Sequence, residues 1–244
     1  MLPTPMPEMI LATNEQLMQQ QVLVVDAKFR PMITLEKSIV SMKLARNRLA
    51  AGEFIPLIDS SLYLTLDPES GEPVSVPLIV QAHKALLETT ILNDVPGITC
   101  RLVSCRDMGV NYYTGEMICK PDFPTWDHLK PKSKFPALRM SWKNAATTSY
   151  TMNQWKDDKT MEQCGLSLIH GGTEMWEPTR NELWWLWYYR NQRTMPDEWK
   201  NYFESLRLEH MTVRDECWMS VGFYERAQAA EQRKALMDLP FMQV

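Results

Sequence analysis

The chain has 244 residues, of which 45% are hydrophobic and 23% charged, with a net charge of −4. That is length for one large globular domain or two small ones, and the acidic balance excludes a generic basic nucleic-acid coat while leaving room for a locally positive site. No apolar run approaches the ~20 residues of a membrane span; the densest, Leu183 to Tyr189, is far too short.

Residues 1–20 are rich in Pro, Met and Gln and read as a mobile N-terminal arm. Pro3, Pro5 and Pro7 interrupt the apolar core that a signal peptide would need. Residues 21–27 (QVLVVDA) suit a buried strand, and Leu35 to Ala51 carries apolar residues at helical spacing up to a stop at Gly52. Phe54 to Ile58, Ser61 to Leu66 and Val74 to Val80 read as strands, separated by Asp59-Ser60 and by the turn-like Asp67-Pro68-Glu69-Ser70-Gly71. Residues 21–95 therefore form an expected N-terminal α/β subdomain. His83 follows its last strand and has no second ligand near it in sequence, so a structural role is expected.

Val110 to Tyr113 and Met117 to Cys119 suggest a short hairpin turning at Thr114-Gly115-Glu116. A strand near Trp126 ends in Asp127-His128, and a loop without helical period runs from Leu129 to Ala146. Ser149 or Thr151 can cap a helix carrying Asn153 and Lys156, which share a face at a spacing of three and can look back at the Asp-His strand. Beyond Gly171-Gly172-Thr173, Asn181 to Arg190 holds three tryptophans and two tyrosines. Pro196 to Leu208 and Val213 to Leu236 read as helices. The aromatic cluster reads first as core or as an interface with a second copy or a protein partner, and only secondarily as a base-stacking platform.

The chemistry concentrates between Trp126 and Thr160. Asp127 and Asn153 are hard oxygen donors suited to one Mg²⁺ or Mn²⁺ ion. An unperturbed imidazole has its pKa near working pH, which makes His128 a candidate general base. Lys130, Lys132, Lys134, Arg139 and Lys143 place positive charge around the pair, and no acidic residue intervenes from Leu129 to Lys143. Lys156, one turn after Asn153, can reach a phosphate. A cation, a base and a basic loop together suit phosphodiester hydrolysis.

These residues resemble the HNH nucleases, whose ββα-metal site holds one divalent ion. The pattern stands here as Asp127-His128, Trp142-Lys143-Asn144, Met152-Asn153-Gln154-Trp155-Lys156-Asp157 and Thr160. Arg106-Asp107 with Tyr113-Thr114-Gly115, the run Thr160 to Leu166, and Val22 to Ala27 with Arg30-Pro31 are similar to flanking segments of phage and bacterial members. The resemblance covers roughly residues 20–170, with gaps. It implies an α+β fold: an N-terminal α/β subdomain (21–95), a ββα-metal domain (96–168) and a helical, aromatic-rich extension (169–244). It further implies DNA as substrate, His128 as base, Asp127 and Asn153 as metal ligands, and Asn144 either orienting His128 or fixing the loop. The loop cations and Lys156 would hold DNA phosphates. Many members bind a structural zinc through two cysteine pairs. The matching positions here are Asn111, Thr114, Ser149 and Met152, so no structural zinc is expected.

Cys100, Cys105, Cys119, Cys164 and Cys217 form no C-x-x-C pair, which suits buried thiols in a reducing compartment such as the cytoplasm, the host's if the gene is a phage's. His170 and His210 lack companions and read as structural. One site per chain makes nicking natural for a monomer, whereas a dimer could cut both strands. The alternative is a nuclease-like module, without catalysis, that binds nucleic acid or protein.

Overall fold

The computed structural model describes residues 21–25, 39–66, 73–82, 95–210 and 214–237; the expected N-terminal arm, the turn at 67–71 and His83 lie outside these residues. The fold is a mixture of helices and small sheets. The chain divides into two compact units, one of Met1–Leu92 with Thr194–His210, the other of Asn93–Arg193 with Met211–Val244. Each is discontinuous in sequence.

In the first unit, strands β1 (Gln21–Val25), β2 (Ile39–Ser41), β3 (Phe54–Leu66) and β4 (Pro73–Ala82) make one sheet in the order β2-β1-β4-β3. β1 runs parallel to β4 and antiparallel to β2. Its Val22, Leu23, Val24 and Val25 are all buried, as a central strand covered on both faces requires. Helix α1 (Met42–Ala50) lays Met42 and Ala45 against Val22, Val24 and Val80. It begins later than the periodicity of 35–51 suggests. Ile39 to Ser41 pair with β1 instead, and the Ser41 hydroxyl caps the helix by accepting from the Leu44 N–H. The two strands expected at 54–58 and 61–66 are one. Asp59-Ser60 does not end it, because pairing with β4 continues through register shifts.

The second unit holds α2 (Cys100–Arg106), β5 (Pro124–His128), β6 (Ala145–Ser149), α3 (Tyr150–Lys156), α4 (Arg180–Asn191) and α6 (Asp215–Met237); α5 (Asp197–His210) belongs to the first unit. α5 lies against β4 there, and its Trp199 indole donates to the Leu78 carbonyl at 2.8 Å. α4 starts with a capping box, Thr179 and Glu182 each accepting from the other's backbone N–H. Its Leu183, Trp184, Trp185, Leu186 and Tyr188 are buried, so the aromatic cluster is core. Trp185 packs with Met108, Trp176, Cys217 and Val221. A second cluster of Tyr112, Leu129, Ala146, Met161, Leu168 and Met175 lies under the β5–β6 hairpin. Cys105 and Cys217 are buried as expected, but Cys100 and Cys119 are exposed. Among the described residues no helix is long and apolar enough to cross a membrane.

Candidate functional site

Strand β5, a 16-residue connection, β6 and α3 follow one another without interruption. The strands are antiparallel, in register from Pro124↔Ser149 to His128↔Ala145. The second strand takes up Ala145-Ala146-Thr147-Thr148-Ser149, of which Ala145 and Ala146 were read from the sequence as the end of the loop. Ser149 then caps α3, its hydroxyl accepting from the Met152 N–H at 3.3 Å. The Phe123 carbonyl takes the Tyr150 N–H at 3.0 Å, pinning the helix start beside the strand start. The hairpin expected at 110–119 reduces to one bridge, Val110↔Met117. Its turn closes through Gly115, at φ 74°, whose N–H donates to the Asn111 carbonyl.

Side chains alternate along β5. Asp127 points inward and is 3% exposed, while Trp126 and His128 are half-buried with their rings edge to face at 5.5 Å. α3 turns Asn153 and Lys156 back onto this strand. The Asn153 amide donates to the Trp126 carbonyl at 3.0 Å, one residue from Asp127. That bond consumes the nitrogen side of the amide and leaves its oxygen as an acceptor. Lys156 is not at the surface. It is fully buried, donating to Asp127 Oδ1 at 3.0 Å and to the His128 carbonyl at 2.8 Å. The expected phosphate contact is therefore an internal ion pair, because the nearest anion to this ammonium is a protein carboxylate. The other oxygen of Asp127 accepts from the Tyr113 hydroxyl at 2.5 Å. Burial pushes the Asp127 carboxyl above the usual carboxylate range, and Lys156 and Tyr113 pull it part of the way back. Burial and the neighbouring Asp127 push the Tyr113 hydroxyl far above its ordinary value, so it stays a donor.

His128 is oriented by the backbone. Its Nε2 lies 2.9 Å from the Arg139 carbonyl, which can only accept, so Nε2 is the donor and the neutral form of the ring has its lone pair on Nδ1. The three side-chain hydrogen bonds of Asn144 go to the loop. Asn144 is buried and fixes the loop: its amide donates to the carbonyls of Lys130 (2.9 Å) and Leu138 (3.2 Å), and its oxygen accepts the Lys130 N–H at 2.8 Å. Holding Leu138 places the next carbonyl, that of Arg139, against His128. Of the two roles read for Asn144, the direct one belongs to the loop.

Lys130, Lys132, Lys134, Arg139 and Lys143 are all exposed on this loop. Lys134 lies 3.5 Å from the Asp158 carboxylate just beyond α3 and donates to the Asp158 backbone carbonyl at 2.5 Å, and the Ser133 hydroxyl donates to that carboxylate. The Ser133 hydroxyl and Lys134 hold Asp158 below its ordinary range. The other four cations make no ion pair among the described residues.

Behind the hairpin sits a knot that the sequence did not reveal. Arg106 and Asp107 are both fully buried. Arg106 grips Asp107 through two bonds (2.7 and 3.0 Å) and donates to the carbonyls of Trp142 (3.0 Å), Trp176 (3.1 Å) and Ala145 (2.5 Å). Asp107 in turn accepts the Thr147 N–H at 2.7 Å. Arg106-Asp107 is thus a structural fork holding β6 and both flanks of the site. Tyr113 was also missed as a site residue; its only trace in the sequence is its place in the Tyr-Thr-Gly turn.

Of the four positions that the resemblance matches to cysteines, Asn111, Thr114 and Met152 make side-chain contacts with neighbours and Ser149 caps α3. The Asn111 amide reaches Met152 Sδ at 3.6 Å, its oxygen accepts the Tyr113 N–H at 3.1 Å, and Thr114 accepts from the Glu116 N–H at 3.3 Å. No group of three or more His, Cys, Asp and Glu able to hold a metal gathers among the described residues. One carboxylate and one amide oxygen nevertheless suit a hard divalent ion completed by water or phosphate oxygens. Asp127 retains unused lone pairs, and the Lys156 ammonium shows that a positive charge is at home there. No family model, no curated protein and no solved structure matches this chain.

Proposed function

We propose that the chain is a metal-dependent endonuclease of the HNH kind, with a ββα-metal core, that hydrolyses DNA phosphodiester bonds using His128 as general base. The observation that carries the reading is the contact of His128 Nε2 with the Arg139 carbonyl at 2.9 Å, at the end of the strand that carries Asp127. A general base needs a free lone pair and a partner to stabilise its protonated form, and this anchoring supplies both. Asp127 and Asn153 would hold one Mg²⁺ or Mn²⁺ ion. When bound, such an ion withdraws charge from a phosphoryl oxygen and from the leaving oxygen.

The chain's own residues do the rest. His128 Nδ1 takes the proton of the attacking water, and the growing positive charge on the ring strengthens the bond to the Arg139 carbonyl. The Trp126 edge restricts rotation of the ring. Lys130, Lys132, Arg139 and Lys143 offer cations to the phosphates on either side of the scissile bond, and Asn144 keeps that loop folded over the strand end. Plasmid DNA incubated with Mg²⁺ or Mn²⁺ tests this: the chain should nick or cut it, and His128→Ala should lose at least a hundredfold of the rate. Cutting that survives the substitution would overturn the mechanism.

A second reading is favoured by the closed state of Asp127, with one oxygen held by Lys156 and the other by Tyr113. It is a nuclease-like module that binds nucleic acid or protein without catalysis. Failure of the wild type to cut with either ion, while still binding DNA, would select it.

A further inference from the structure

We infer that Lys156 is a built-in counter-cation that closes the Asp127 site, and that a divalent ion enters as the Lys156 ammonium leaves. The inference rests on the reading of Asp127 and Asn153 as metal ligands and adds what governs access to them. Lysine is rarely buried without a strict partner. Lys156 is fully buried, and its two acceptors are Asp127 Oδ1 at 3.0 Å and the carbonyl of the very next residue, His128, at 2.8 Å. It thus neutralises the one carboxylate that the metal requires. An ammonium and a dication on a single buried carboxylate repel strongly, so the two occupy it in turn.

The position of Lys156 allows the exchange. It is the last residue of α3, followed by Asp157 at φ 49°, where the helix stops. Its four-carbon stem can carry the charge outward without moving the helix. Asp158 and Glu162, both exposed, follow Lys156 closely in sequence and can receive it. The same ammonium would then stand at the rim of the site, on the side of the basic loop tethered by Asp158.

Two measurements on the full chain test this without using activity. Mn²⁺ binding is followed by electron paramagnetic resonance for wild type, Lys156→Met and Asp127→Asn. Lys156→Met should bind roughly ten- to a hundredfold more tightly than wild type, since the competing charge is gone, and Asp127→Asn should lose the site. In wild type, amine acylation read by mass spectrometry should spare Lys156 without metal and label it in saturating Mn²⁺; this arm stands even if Lys156→Met fails to fold. Equal affinities, or Lys156 protected in the Mn²⁺ complex, would overturn the exchange while leaving Asp127 as a ligand. No Mn²⁺ binding that depends on Asp127 would overturn the exchange and the metal-site reading together.

Discussion

Replacing Arg106 by methionine should be the most damaging single change near the site that leaves the proposed chemistry's own residues intact. Methionine fills much of the volume but makes none of the five bonds that the guanidinium donates. Asp107 would be left fully buried without its partner, a situation that costs about 3–5 kcal/mol. Three carbonyls would lose a donor as well, each worth about 1 kcal/mol. A total of about 6–8 kcal/mol would consume most of the roughly 5–15 kcal/mol stability of a folded domain. Urea unfolding followed by tryptophan fluorescence should show the midpoint falling by at least about 2 M, given a slope of about 1–3 kcal/mol per molar. Adding Asp107→Leu should restore part of the loss, because the stranded charge goes while the Thr147 N–H and the carbonyls stay unpaired. A single variant within ~1.5 kcal/mol of wild type, or a second substitution whose cost simply adds to the first, would refute the account of the knot.

Asn144→Ala removes three bonds that close the basic loop and should cost about 2–3 kcal/mol; hydrogen exchange should rise across 130–139, and unchanged protection there would mean that the loop is held by something else. Glu182 gives a pH signature: burial works to raise its pKa, but the bonds from Arg214 and Thr179 outweigh it and hold it below the ordinary value. A depressed folded pKa means a stabilisation present above the unfolded value of about 4.3 and lost as pH falls through the folded one. Melting temperatures from pH 6 down to 2 should therefore fall less for Glu182→Gln than for wild type, and parallel curves would contradict this. Replacing Lys130, Lys132 and Lys143 by glutamine should flatten the salt dependence of DNA binding by roughly 0.9 in log–log slope for each phosphate that is no longer neutralised, as read by fluorescence anisotropy; an unchanged slope would mean that the loop does not touch the DNA.

Much of the local geometry was legible because it follows from short-range rules. Ser149 or Thr151 offered a cap for a helical stretch, and Ser149 provides it, while the spacing of three put Asn153 and Lys156 on one face. QVLVV read as a buried strand for the same kind of reason. What escaped depends on partners far away in sequence. Ala145 to Ser149 has neither alternation nor bulky β-formers apart from two threonines, and it is a strand because β5 lies alongside. Lys156 looked like a surface cation, since nothing local shows that residue 127 would supply its counter-charge. Arg106 and Asp107 are adjacent, yet their roles emerge only when the carbonyls of 142, 145 and 176 converge on them. The helix start at Met42 moved because Ile39 to Ser41 found a strand to pair with.

The route of the backbone carries a consequence for how this protein is made. Residues 93–193 belong to one body, 194–210 return to the other, and 211–244 come back again. The indole of Trp199 reaches the Leu78 carbonyl across 121 positions. The sheet that holds Leu78 therefore waits, during synthesis on the ribosome, for a helix whose Trp199 is encoded 121 codons later. A contiguous truncation at residue 92 or 193 would release a fragment lacking one of its own walls, so biochemical dissection calls for splicing distant segments together rather than for cutting.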